Sequence, residues 1–162
     1  MFVLSEQLNA DGDPREPFRR YAEYLEVNRS RFPVSAYSLA SGLLLDASDL
    51  SCPHDGWLEW ATFEEPSSGE REENRSLSLR VRLLGACHDR YIELFYPLVY
   101  SYSMSTAHAS GGHGDWRYSE IRLNDNGNVV HEIEWAGPPG REARWLIEAS
   151  DVQLTSIPSE KD

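Results

Sequence analysis

The chain has 162 residues, 40% apolar and 26% charged, with five Trp and eight Tyr, the composition of a folded domain large enough to bury its own core. Twenty-seven acids against fifteen bases give a net charge of −12, a field that repels phosphate backbones, sets nucleic acid aside as a partner and favours basic proteins. Residues 1–7 carry no basic stretch leading into an apolar run, and the longest apolar segment, 94–100, is interrupted by Pro97, so neither a secretory leader nor a membrane span is expected. The expectation is one cytoplasmic domain without membrane contact.

In chain order, residues 2–4 suggest a short strand. Asp13, Pro14 and Glu16 have the cap, first-position and capping-box chemistry of a helix start, with Pro17 able to move that start to Glu16. Phe18, Tyr21, Ala22 and Leu25 then recur at helical spacing, and Pro33 closes the run. A weaker helical turn is expected over 35–41, ended by Gly42.

From Trp57 the period becomes two. Strands are expected over 57–64, 77–83, 90–104 (broken at Pro97, which cannot donate to a ladder), 116–123, 129–135, 143–149 and 152–157. Segment 65–74 reads as a mobile polar loop, and Asn126-Gly127 between two alternating runs is a strong hairpin signal. Short links without helical crossovers imply antiparallel pairing. The predicted fold is α+β: an antiparallel meander or partly closed barrel of six to seven strands, with one N-terminal helix packed on it. The helical start covers about 13–42 and the β region about 57–157, in one domain.

Charge is unevenly placed. Residues 32–75 hold nine acids, Asp46, Asp49, Asp55, Glu59, Glu64, Glu65, Glu70, Glu72 and Glu73, against two bases, whereas residues 1–31 are close to neutral. These nine are the candidate contacts for a basic protein partner. Of the fifteen bases, fourteen are Arg, a bias that points to a GC-rich bacterial genome.

Catalytic patterns are sparse. His54-Asp55 and His88-Asp89 could each offer metal ligands, but both stand where turns are expected, and Asp favours turns through its own backbone hydrogen bonds. His88, His108, His113 and Asp115 form the candidate metal set of a hydrolase, with His108 and His113 in a Gly-rich loop whose spacing fits no closed zinc pattern. Glu132 and Glu134 share one face of a strand, as a glycosidase acid–base pair can, yet the apolar residues at the alternate positions favour a solvated sheet face; Glu93 and Glu148 lie in similar runs. His131 reads as a strand residue packed beside aromatics. Cys52 and Cys87 belong to no Cys-x-x-Cys pair and read as small, buried or half-buried side chains. No phosphate loop, nucleophile elbow or dinucleotide fingerprint occurs, so no cofactor is expected.

His54-Asp55-Gly56-Trp57-Leu58-Glu59, the strand 77–83, and His88-Asp89-Arg90-Tyr91-Ile92-Glu93-Leu94 together resemble small β-rich bacterial proteins of uncharacterised families. Some of those families are assigned as immunity proteins of polymorphic toxin systems. The resemblance spans roughly the C-terminal two thirds and transfers no catalytic residue. It implies a small acidic binding protein, whose leading function is non-enzymatic capture of a basic partner. The alternatives are the loop-histidine hydrolase and a small-molecule carrier in a barrel lined by Trp and Tyr.

Overall fold

The computed structural model describes residues 1–8, 12–106, 112–137 and 143–159. Among the described residues, three helices, α1 (Ser5–Leu8), α2 (Glu16–Asn28) and α3 (Val34–Ser41), precede ten strands. Asp13 prepares α2: its carbonyl accepts the Glu16 N–H at 3.0 Å and its Oδ1 accepts the Arg15 N–H at 2.9 Å. Pro17 sits in the first turn, where a missing N–H costs nothing. The buried stripe is rotated from the predicted one. Pro17, Tyr21 and Leu25 are buried, Tyr24 is half-buried, and Phe18 and Ala22 face outward. The rotation is set by the two tyrosines, whose hydroxyls reach a sheet edge. Residues 29–31 form a 3-10 turn before Pro33, which caps α3.

The expected strand at 2–4 is absent, because the N–H groups of Phe2 and Val3 donate to the Glu120 carboxylate (2.6 and 2.9 Å) rather than to a ladder. The α+β class and the antiparallel pairing hold, but two separate four-stranded sheets and more than one helix replace the single meander or partly closed barrel with one helix. One four-stranded antiparallel sheet has the order β1 (Trp57–Glu64), β4 (Ser78–Leu84), β5 (Arg90–Tyr96), β10 (Gln153–Pro158). A second has the order β6 (Val99–Met104), β9 (Ala143–Ala149), β8 (Val129–Trp135), β7 (Trp116–Leu123). Neither closes on itself. The segment expected to be a mobile loop carries a small hairpin, β2 (Ser67–Ser68) with β3 (Asn74–Arg75).

Pro97 explains the division. The predicted strand 90–104 is two strands in different sheets, and the chain changes sheet at Pro97-Leu98. Hydrogen bonds from the Val99 N–H to the Leu77 carbonyl (2.7 Å) and from the Ser150 N–H to the Leu98 carbonyl (2.8 Å) hold that crossing. The chain crosses back at 150–152, where Asp151 Oδ1 accepts the Val152 N–H at 2.8 Å and Oδ2 accepts the Ser35 hydroxyl of α3.

Between the sheets, Leu79, Val81, Leu83, Ile92, Leu94 and Tyr96 face Ile121, Val129, Ile133, Trp135, Trp145 and Ile147, all essentially inaccessible to solvent. Each such large side chain contributes about 1.5–3 kcal/mol on burial. The hairpin at 124–128 forms as expected: Asn124 Oδ1 accepts the N–H groups of Asn126 and Asn128, and Gly127 supplies φ +81°. On the helical side, α2 covers the β7 edge. Tyr21 Oη accepts the Ile121 N–H at 2.7 Å and donates to the Ile121 carbonyl at 3.0 Å, while Tyr24 Oη accepts the Leu123 N–H at 2.8 Å. Two side chains therefore finish the ladder where another strand would otherwise pair.

Candidate functional site

β1 is an outermost strand. Its first residue bridges to Asp115, but from Glu59 to Glu64 all positions are exposed except the half-buried Trp60. The pairing with β4 slips at Glu59, a bulge that aims this carboxylate away from the regular ladder. Phe63, 36% exposed, lies against Tyr102 of β6, 51% exposed, with ring centroids 4.4 Å apart. At the other end Trp57, 50% exposed, meets the His88 ring at 4.5 Å. An open edge thus runs between two exposed aromatic groups.

The nine acidic candidates separate by role. Asp46 Oδ1 accepts the Ser48 N–H and hydroxyl, which holds its carboxyl below the usual range. Asp49 Oδ1 accepts the Ser51 N–H, and Glu73 Oε2 accepts the Arg71 N–H in the hairpin, where backbone donors also lower its carboxyl. Those three shape turns. Asp55, at φ +60°, approaches His54 Nδ1 at 3.3 Å. Glu64 and Glu65 stand 3.9 Å from Arg80 and Arg75, respectively. Among the described residues, Glu59, Glu70 and Glu72 enter no ion pair and no side-chain hydrogen bond. They lie along β1 and in the hairpin that follows it.

Of the candidate metal set, the described members His88, His113 and Asp115 are not gathered into a ligand cluster. His88 is in a turn at φ +56°, its ring on Trp57. His113 packs on Trp135 and Trp145 at 5.4 and 5.0 Å, and burial lowers its imidazole. Asp115 shares a recess with His113 beside Trp57, and His108 lies outside the described residues. Among the described residues no group of three or more His, Cys, Asp or Glu is disposed to hold a metal ion. Both His-Asp pairs lie in turns.

The solvated face expected around Glu132 and Glu134 is overturned. Both are buried, as is Glu120 opposite Glu132. The N-terminal segment covers them: Glu120 takes the Phe2 and Val3 N–H groups, and Glu134 Oε2 takes the Ser5 N–H at 3.2 Å. Arg122 pairs with Glu120 (2.7 Å) and Glu132, and Arg144 reaches Glu132, Glu134 and Glu6 at 3.5, 3.7 and 3.3 Å. This network ties the first residues to the second sheet. Glu93 pairs with Arg82 at 2.6 Å, and Asn128 and Asn124 hold Glu148 below the usual carboxylate range. Cys52 is buried and its thiol is pushed up by that burial, whereas Cys87 is exposed, contrary to expectation; neither is in a disulfide.

No protein-family model, curated protein or solved structure matches the chain. Among the described residues, no helix is long and apolar enough to cross a membrane.

Proposed function

We propose that the protein is a non-enzymatic binding domain that receives a basic partner along the outer edge of β1, as an immunity-type inhibitor receives a basic toxin. The observation that carries this reading is the coincidence of three things along one strand and the hairpin that follows it. β1 offers unpaired main-chain groups, exposed aromatics at both ends, and the unpaired carboxylates Glu59, Glu70 and Glu72 beside it. A strand added to such an edge gains main-chain hydrogen bonds. Aromatic groups supply most of the affinity at protein interfaces, and complementary charge supplies rate and selectivity.

The test is binding to the product of the neighbouring gene at about 50 mM and about 500 mM salt, since screening shortens to a few ångströms over that range. Binding that weakens with salt, and that is lost in Glu59→Lys/Glu70→Lys/Glu72→Lys, supports the reading. No binding at either salt concentration overturns it.

A further inference from the structure

Beside β7, where its first residues meet the segment that leads into β1, lies a pocket of about 190 Å3. Its walls are Val3, Phe18, Leu44, Leu45 and Pro53, with Cys52 at its side. An engineered apolar cavity of about 150 Å3 accepts benzene, so this one has room for a six-membered ring or a short branched chain.

Three polar features converge on it. Ser119 is 6% exposed; its Oγ accepts the Trp116 indole N–H at 3.3 Å, and its own proton has no acceptor among the described residues. Outward-facing groups on an edge strand alternate with period two. Tyr21 takes both groups of Ile121 and Tyr24 takes the Leu123 N–H, so the Ser119 N–H and C=O face the same edge. α2 leaves them uncovered. The third feature is Arg117, which lines the pocket, lies over the Tyr118 ring at 5.6 Å and enters no ion pair among the described residues. Arg117 is exposed, so its guanidinium is free to meet an anion at the pocket mouth.

We infer that this pocket binds a small monocarboxylate with an aryl or short acyl body. The apolar part occupies the space between Val3, Leu44 and Leu45, and the carboxylate meets the Ser119 donors and Arg117. A buried donor without an acceptor is costly, and a carboxylate is the acceptor that satisfies both it and an unpaired guanidinium. The site is separate from the β1 edge and does not depend on the reading given to that edge.

The test uses phenylacetate and the neutral phenylacetamide as probes, followed by titration calorimetry and by the Ser119 amide resonance. Phenylacetate should bind with one-to-one stoichiometry, shift Ser119, and weaken about tenfold or more in Arg117→Gln, the loss expected for a hydrogen bond to a charged group. Phenylacetamide should bind more weakly and ignore that substitution. Leu44→Trp, which fills the pocket, should abolish phenylacetate binding while the thermal transition shows a folded protein. Absence of saturable phenylacetate binding, equal binding of the two probes, or binding that survives Leu44→Trp would each overturn the assignment.

Discussion

His131 is the most strongly perturbed histidine. It is fully buried, its Nδ1 is 2.8 Å from Tyr96 Oη, and the Trp116 ring is 5.7 Å away. Burial pushes its imidazole from 6.5 down to about 3. Between those values the unfolded chain takes up a proton that the folded chain refuses. The neutral histidine therefore costs no stability above about pH 6.5, and stability is lost as pH falls toward 3. The slope is at most about 1.4 kcal/mol per pH unit. Urea midpoints measured from about pH 7 to about pH 5 should fall in the native protein and flatten by one proton in His131→Gln. Glu120 makes a second prediction at this scale. Glu120→Ala removes one of the two carboxylates that Arg122 pairs with and frees the Phe2 and Val3 N–H groups, so it should cost about 1–3 kcal/mol. Amide exchange at residues 2–5 should accelerate with it.

Elements differ in how far local chemistry announces them. The α2 start at Glu16, β1 at Trp57 and the hairpin at Asn126-Gly127 follow from Pro17 in the first turn, alternation and turn residues within a few positions, although the N-cap is Arg15 rather than Asp13. Partner choice is another matter. Pro97 marks a break, but nothing nearby says that β5 and β6 belong to different sheets. Glu132 and Glu134 look solvated in their own strand because the groups that cover them come from residues 1–5. The acidic candidates were legible as a cluster of charge. The distinction between turn-forming Asp46, Asp49 and Glu73 and unpaired Glu59, Glu70 and Glu72 needs the fold. The Ser119 pocket had no local signal, since its walls come from five separated segments. The apolar face of α2 was misread by about one position, because Tyr21 and Tyr24 are fixed by hydroxyl bonds to β7 as well as by burial. Tyr21→Phe leaves two backbone groups of Ile121 without partners and should cost about 3 kcal/mol in urea denaturation.

At the scale of the molecule, the two margins of the fold are treated differently. The helical layer seals the β7 edge through the α2 tyrosines, while the β1 edge stays open and negative. Association of a basic partner with β1 should therefore be fast at low salt and slow by more than about tenfold as salt rises from about 50 to about 500 mM, measurable by stopped flow. Charge also discourages a second copy from using that edge, since two acidic strands repel. The tyrosine seal has a consequence for how the protein is made. Tyr21 and Ile121 are 100 residues apart. A ribosome delivers the helix before the strand, so the nascent edge meets its cover as it emerges. A chain diluted out of denaturant has no such order, and β7 to β9 can pair locally while the helix is still searching. Refolding yield should accordingly drop as protein concentration rises, and drop sooner in Tyr21→Phe.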